Sequence, residues 1–522
     1  MAQAPNLTQI TLPIPPASVP LHLIFSSLKR WPNLFFLLLL VSLLLRVACM
    51  IWTPLIPEEA YYWMYAQHPS LSYYDHPPMI ASTIKLGTLI FGDTELGVRS
   101  VGAILMLISS LLIYQFGRMW FGHRAGLWSA VALQVLPVYY GAGYIATMDS
   151  ALIFYWMLCL VGVSFALQRN SPWGWYCAGL ALGAAALTKY TAVFLGAGAL
   201  LAVVAYRPWW RHLRTPHPYL AAAIAAAAFM PVVIWNAQNN WVSFRFQLAD
   251  RFKDSAFSIT KPLLFAAIQL LILTPVLLGI IWLIVIRLAN RPKRLIEPRW
   301  IVAFAFSIPL LAVALQKSFT YEIHINWTLP AYLSIIPAIM QGAILLRRSN
   351  LPRLFPKLLA ASVPVTGLLC TMSVIGILAY LLILQPHTLW IGAFGPWRQL
   401  AAVVEDAENR LQAETQKEPL VIGDGKYRTA SVVAFYRNPL ESDGSASENT
   451  TSQWVANGRN GLGFEYWMDL DKARGRDCVV VAQSQEELDK LTGNFKSVEA
   501  VEDVRLAFCA PYRVAIARDL QR

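Results

Sequence analysis

Apolar runs close to 20 residues long recur along the chain from Asn33 to Leu384. Each is long enough to cross a hydrocarbon core of about 30 Å as a helix, and a soluble domain would break such runs with periodic charge. The pattern predicts a polytopic α-helical membrane protein with eleven spans, at about 33–53, 97–117, 125–143, 150–168, 174–188, 190–206, 218–236, 262–287, 299–316, 329–346 and 358–384. One further apolar piece, "PPMIASTIKLGTLIFG" at 77–92, is short, starts with two prolines and carries Lys85. It reads either as a span or as an amphipathic helix lying in the interface.

Charge decides between the two. Lys29 and Arg30 precede the first span, which puts segment 1–32 on the cytoplasmic side. With 77–92 in the interface, the loops at Arg118/Arg124, Arg169, Arg207–Arg214, Arg287–Arg299 and Arg347–Lys357 also fall inside, and they hold 15 Lys and Arg against about 7 in the opposite loops. The net charge of +12 sits in these orientation signals and implies no nucleic acid. The first 32 residues are polar and proline-rich, and no small-residue cleavage site follows the first run.

Beyond residue 385 the composition changes. "PLVIGDG" predicts a strand entering a turn, "YRTASVVAFYR" a helix, "RDCVVVAQ" a strand, "SQEELDKLTG" a capped helix and "YRVAIARDL" a last strand. Residues 385–522 are therefore expected to form a small α/β domain outside the membrane, with the lone GDG too weak to claim a nucleotide site. Of six cysteines, Cys49, Cys159, Cys177 and Cys370 lie in apolar runs; Cys478 and Cys509 lie in the tail and would pair only if it faces an oxidising compartment.

On this topology the polar chemistry gathers at one face. The first outer loop, 54–96, contains "IPEEAYYWMYAQHPSLSYYDHPP", with Glu58, Glu59, Asp75, His76 and five tyrosines between Ile56 and Pro78. Asp149 opens the fourth span, Lys189 sits in an outer hairpin, "WNAQNNWVSFRF" (Trp235–Phe246) ends the seventh span, and "EIHINWTLP" (Glu322–Pro330) precedes the tenth. Singly each has an ordinary explanation: a helix cap for Asp149, snorkelling for Lys189, turn formation for the asparagines, an interface belt for the aromatics. Together they supply carboxylates, a cation and amide donors on one face, as a membrane-embedded enzyme requires. A secondary transporter would instead place charges mid-helix and show repeats between halves, and neither is visible.

The loop "PEEAYYW…SYYDHPP", the starts "TMDS" and "LTKY", and "WNAQNNWVSFRFQ" and "HINW" resemble the bacterial GT-C glycosyltransferases, in the branch of protein O-mannosyltransferases and lipid A aminoarabinose and galacturonic acid transferases. The resemblance runs from about residue 30 to 345; "YRTASVVAFY" and "GLGFEYW" in the tail also look typical of bacterial relatives. It implies a transmembrane catalytic domain at 33–384, and transfer of one sugar from a polyprenyl-phosphate donor to an acceptor in the periplasm. The acceptor expected is lipid A or another envelope glycolipid, the alternative a protein hydroxyl. By the same resemblance Glu58 matches the first-loop catalytic acid, usually Asp followed by Glu, so that Glu58 and Glu59 share the candidacy. Asp149 matches a second acidic position. Lys189 matches a lysine facing the donor phosphate, with His76 and the tyrosines Tyr61 and Tyr74 expected beside it. Asp75 and His324 would serve a divalent metal in relatives that hold one, although no spacing here fixes such a site. Asn236, Asn239 and Asn326 are the expected substrate-binding amides.

Overall fold

The computed structural model describes residues 32–252, 256–290, 296–348, 354–384, 394–437, 449–469, 473–504 and 512–521. Lys29, Arg30 and Cys509, on which the N-terminal and disulfide expectations rest, lie outside these residues.

Every one of the eleven predicted spans is helical, and several are broken. Among the described residues six helices are long and apolar enough to cross a membrane: Phe35–Trp52, Glu95–Phe121, Met148–Arg169, His217–Gln238, Thr260–Ala289 and Pro298–Ser318. A seventh arises if Tyr190–Ala205 and Arg207–Arg214, bent by 114°, count as one span. The run predicted at 125–143 divides into His123–Val135 and Pro137–Ala142, with Pro137 at the first position of the second piece. Thr260–Ala289 kinks at Thr274, φ 65°, where Pro275 removes a backbone donor.

Backbone groups freed by such breaks need partners where no water reaches. The Ser334 hydroxyl donates to Ala303 O at 2.8 Å, and the Tyr139 hydroxyl to Leu329 O at 2.8 Å. Gln269, buried in Thr260–Ala289, accepts from the Thr328 hydroxyl at 3.0 Å and the Tyr332 hydroxyl at 2.6 Å. Helix ends carry their own caps: Thr94 accepts from Gly97 N–H, Thr147 from Asp149 N–H and Ser171 from Gly174 N–H.

The piece at 77–92 forms the helix Met79–Phe91. Its Leu89, Ile90 and Phe91 are exposed, while Gly87 lies against the start of Glu95–Phe121 so closely that a Cβ there would stand 2.1 Å from Gly97 O. Close backbone approach through small residues is how helices associate in lipid, where apolar burial gives no drive.

In the tail, strands β1 (Leu420–Gly423), β2 (Thr450–Ser452), β3 (Cys478–Ala482), β4 (Phe495–Val504) and β5 (Tyr512–Leu520) form one sheet in the order β2-β1-β3-β5-β4. β1 runs parallel to β2 and β3, and β5 antiparallel to β3 and β4. β1 and β3 are wholly buried because helices Trp397–Thr415 and Arg428–Tyr436 pack on the sheet. All five elements predicted in the tail are present; Trp397–Thr415, β2 and β4 are additional.

This domain does not hang free. The apolar side chains of the first loop, among them Leu55, Tyr61, Trp63 and Tyr65, share one buried cluster with Trp397, Val433, Phe435 and Phe464. Trp397 Nε1–H donates to Leu55 O at 2.9 Å, Leu55 N–H donates to the Tyr436 hydroxyl at 2.7 Å, and Arg398 pairs with Glu95 at 2.8 Å.

Candidate active site

The chain leaves the first membrane helix at Trp52 and starts a new one at Pro57, whose ring suits the first helical position. Glu58 and Glu59 follow in the first turn, where negative charge meets the positive end of the helix dipole. Successive helical residues point about 100° apart, so the two carboxylates part company. Glu59 turns inward and is fully buried. It receives Arg99 Nε–H at 2.7 Å and Nη2–H at 2.6 Å, Ala146 N–H at 2.7 Å and Ile56 N–H at 3.0 Å. Arg99 spends its remaining donors on the carbonyls of Met50, Thr53 and Pro54. Four bonds in a dry pocket saturate the Glu59 carboxylate.

Glu58 turns outward, with its side chain 30% exposed. Both of its partners come from the C-terminal domain: the Tyr427 hydroxyl at 3.2 Å and Arg428 Nη2 at 3.0 Å. Of the adjacent pair, only Glu58 faces open space.

Asp75, nearly buried, accepts from the Tyr61 hydroxyl at 3.2 Å and from the Tyr65 hydroxyl. Burial, reinforced by Asp75, pushes the Tyr61 and Tyr65 hydroxyls well above the usual phenol range, so they remain donors. His76 Nε2 lies 3.7 Å from Asp75 Oδ2. Burial pushes His76 down to about 4 despite Asp75, and Lys189 and Arg251 push the same way. His76 is neutral near pH 7, and its contact with Asp75 is polar rather than ionic.

Three residues far apart in sequence meet at Asp149. Lys189 Nζ donates to its Oδ1 at 3.0 Å, and Asn326 Nδ2 to its Oδ2 at 2.7 Å. Thr147, not Asp149, caps the helix Met148–Arg169, which leaves the carboxylate free for this pairing.

Other expected site residues have structural partners. Asn236 is buried, donates to Val232 O at 2.9 Å and accepts Ser243 N–H at 3.1 Å. It thereby holds the turn in which Asn240 and Trp241 adopt left-handed φ of 54° and 58°. The turn in turn seats helix Val242–Leu248 on the first loop, where Ser243 Oγ–H donates to Tyr73 O at 2.9 Å and Gln247 Nε2–H to Asp75 O at 2.7 Å. Asn239 donates to Trp235 O at 2.8 Å. The Tyr61 hydroxyl is engaged by Asp75 and by Gly463 N–H at 2.9 Å, and Tyr74 packs among Phe246 and Tyr466. His324 packs on Trp327, ring centroids 5.4 Å apart. Among the described residues no group of three or more His, Cys, Asp or Glu converges.

A cleft of about 430 Å³ is walled by Tyr73, Tyr74 and Trp235 on one side and by Tyr466 and Trp467 of the C-terminal domain on the other; Glu58, Asp75, Asp149 and Lys189 do not line it. The residues that sequence reasoning did not single out are Arg99, Gln247, Lys426, Tyr427, Arg428 and Gly463. Four of these lie in or beside the tail segments "YRTASVVAFY" and "GLGFEYW", which the motif comparison had already marked.

Residues 75–235 match the dolichyl-phosphate-mannose-protein mannosyltransferase family. The lipid A galacturonosyltransferase RgtD of Rhizobium johnstonii is 25% identical over 288 residues, 54% of this chain and 59% of its own. The undecaprenyl phosphate-alpha-4-amino-4-deoxy-L-arabinose arabinosyl transferase of Pseudomonas aeruginosa is 30% identical over 170 residues, 32% of this chain and 31% of its own. The chain thus spans little more than half, or less, of the length of these relatives. The apo structure of ArnT from Cupriavidus metallidurans superposes with a TM-score of 0.63 at 15% identity, over 94% of this chain and 98% of that one. The same enzyme bound to undecaprenyl phosphate gives 0.62 at 16% identity, over 92% and 97%.

The fold is that of ArnT. The resemblance read from the motifs is borne out, and the likeness of fold to ArnT covers nearly the whole chain. Burial pushes the Tyr62 hydroxyl well above the usual phenol range, and the carboxylates Asp75, Asp149 and Glu58 are all near enough to add to that push.

Proposed function

We propose that the protein is a glycosyltransferase that moves one sugar from a polyprenyl-phosphate donor to lipid A or a related envelope glycolipid. The observation that carries this reading is Glu58, an outward carboxylate in the first turn of helix Pro57–Gln67, touched by Tyr427 and Arg428. The named activities of RgtD and the arabinosyl transferase support the donor and acceptor classes.

In this reading Glu58 takes the proton of the acceptor hydroxyl as general base. The acceptor oxygen bonds to the anomeric carbon, the bond from that carbon to the phosphate oxygen breaks, and polyprenyl phosphate leaves with the electron pair. Glu59 and Arg99 hold the loop that carries Glu58. Asp149 orients Lys189 and Asn326 toward the reacting sugar, and the aromatic cleft takes sugar faces. The domain limits 33–384 and 385–522, eleven spans, a cytoplasmic N-terminus and a periplasmic site in the inner membrane complete the proposal, supported by the loop charges. A protein hydroxyl as acceptor is the second reading, favoured by the mannosyltransferase match over residues 75–235.

Mass spectrometry of lipid A, core saccharide and envelope glycolipids from a deletion strain and a Glu58→Gln strain tests it. Loss of the same sugar mass in both supports the glycolipid reading. Unchanged glycolipids with a lost glycoprotein mass would transfer the proposal to the protein acceptor, and no change in either would sink it.

A further inference from the structure

A lipid phosphate that departs from a sugar needs fixed positive charge beside it, and the cations around Glu58 are mostly committed. Arg99 is buried and saturated by Glu59 and three carbonyls. Lys189 is neutralised by Asp149 at 3.0 Å. His76 is neutral at pH 7. Arg251 keeps its charge, since the Trp327 ring at 4.5 Å and the neutral Gln247 amide are its contacts, and it stands as the other candidate cation.

Lys426 is a cation that the C-terminal domain brings. It is half-buried, and its ammonium sits over two rings, Trp454 at 5.2 Å and Phe246 at 5.8 Å. Among the described residues it makes no hydrogen bond or ion pair. Asp75 is the carboxylate whose field it feels. The ring faces offset part of the hydration it gives up, while its N–H donors remain available to an anion.

The turn that carries it is built to hold still. The Asp424 carboxylate accepts the Thr429 hydroxyl and, at 2.7 Å, Gln483 N–H. Gly425, at φ +69°, donates its N–H to Gln453 Oε1 at 2.8 Å and accepts Trp454 N–H at 3.3 Å. A Cβ on Gly423 would stand 2.2 Å from Ala430 N, so helix Arg428–Tyr436 starts against the end of β1. Lys426, Tyr427 and Arg428 are presented by this pinned turn to the first loop.

We propose that the turn 424–428 of the C-terminal domain is the receptor for the donor's lipid-linked phosphate, with Lys426 its standing cation and Arg428 a second, conditional one. The inference rests on the lipid-phosphate reading above. Arg428 is held by Glu58 at 3.0 Å in the resting site. When Glu58 accepts the acceptor's proton its charge is lost, and the guanidinium is released as the phosphate gains a second negative charge. Proton transfer to Glu58 and charge compensation at the leaving group become one event.

The test uses full-length protein in nanodiscs with undecaprenyl phosphate as probe, and donor turnover as a second readout. A charge-assisted hydrogen bond is worth about 1.5–3 kcal/mol, so Lys426→Gln is expected to weaken probe binding roughly ten- to hundredfold, with Lys426→Arg restoring it to within about threefold. Arg428→Gln is expected to lower kcat more than probe affinity. Wild-type protein that fails to bind the probe overturns the lipid-phosphate reading itself. Wild-type protein that binds, with Lys426→Gln binding equally, overturns only the assignment to Lys426. Loss of binding in Arg251→Gln but not in Lys426→Gln does the same. A Lys426→Gln protein with an altered protease pattern that Lys426→Arg does not repair would reduce the residue to a docking role, and also overturns the proposal.

Discussion

Replacing Glu59 by Gln, beside Glu58→Gln, separates two adjacent carboxylates that chemistry alone does not distinguish. Glu59 is 0% exposed and receives four hydrogen bonds, two of them from an Arg99 that is 1% exposed. An amide in its place keeps one oxygen and turns an NH2 group toward donors. It also leaves the guanidinium without a counter-charge in a dry site. Removing one partner of a buried ion pair costs about 3–5 kcal/mol, a large share of the stability a domain commonly has. The Glu59→Gln protein should therefore insert poorly, show a lowered thermal midpoint in nanodiscs and expose the 52–60 segment to protease. Glu58 has one side chain ion pair, with an Arg428 whose own side chain is 67% exposed, and surface pairs contribute about 0–1 kcal/mol. Glu58→Gln should leave the thermal midpoint near wild type while turnover falls about 10²–10⁴-fold, the range of a lost general base. A Glu59→Gln protein as stable as wild type but inactive, alongside an active Glu58→Gln protein, would refute this reasoning and make Glu59 the base.

Other expectations follow from single contacts. Asp149→Asn and Lys189→Gln should couple in a double-mutant cycle by about 0.5–3 kcal/mol, because the pair is buried and 3.0 Å apart; additive effects would show that the pair does not act as a unit. His76 is pushed from 6.5 to about 4 by burial, so below pH 6.5 the unfolded chain takes up a proton that the folded chain refuses. Stability should fall as pH drops from 6.5 toward 4, by about 2 kcal/mol at pH 5; thermal midpoints at pH 7.5 and 5 should differ less in His76→Gln than in wild type, and equal differences would contradict the buried, neutral ring. Gly87→Ala should cost about 1–3 kcal/mol by overpacking, since its Cβ would lie 2.1 Å from Gly97 O, whereas Gly141→Ala, with nothing within 4 Å, serves as the control. Equal thermal midpoints for the two would show that the Met79–Phe91 helix is not packed as described.

The membrane helices were legible in the sequence because each is a run of apolar residues, a signal carried by many positions at once. Their breaks were not, since Pro137 and Pro275 are tolerated inside membrane helices and only the neighbouring helix decides where the chain bends. Asp149, Lys189 and Asn326 were visible individually as polar residues at helix ends. That they form one cluster depends on helix packing across 177 residues of sequence separation. The divergence of Glu58 and Glu59 was hidden for another reason: adjacent positions share composition and hydropathy, and it is Arg99, buried in helix Glu95–Phe121, that separates their roles. The asparagines of "WNAQNNW" looked like ligands because their amides suit a substrate. They are spent on a left-handed turn whose backbone needs those bonds. The tail elements were recognised by alternation and caps, but a sequence-local pattern says nothing about which face docks on a loop more than 300 residues earlier.

That docking imposes a schedule on synthesis. Glu58 and Arg428 are 370 residues apart, which at translation rates of about 5–20 residues per second takes roughly 20–75 s. Glu59 and Arg99, only 40 residues apart, can lock within seconds of leaving the translocation machinery. The nascent chain therefore carries a braced but roofless catalytic loop through most of its insertion. Only when β5 emerges can the sheet close over it, so a ribosome that stalls before the tail leaves an inserted protein whose Glu58 lacks its Tyr427 and Arg428 partners.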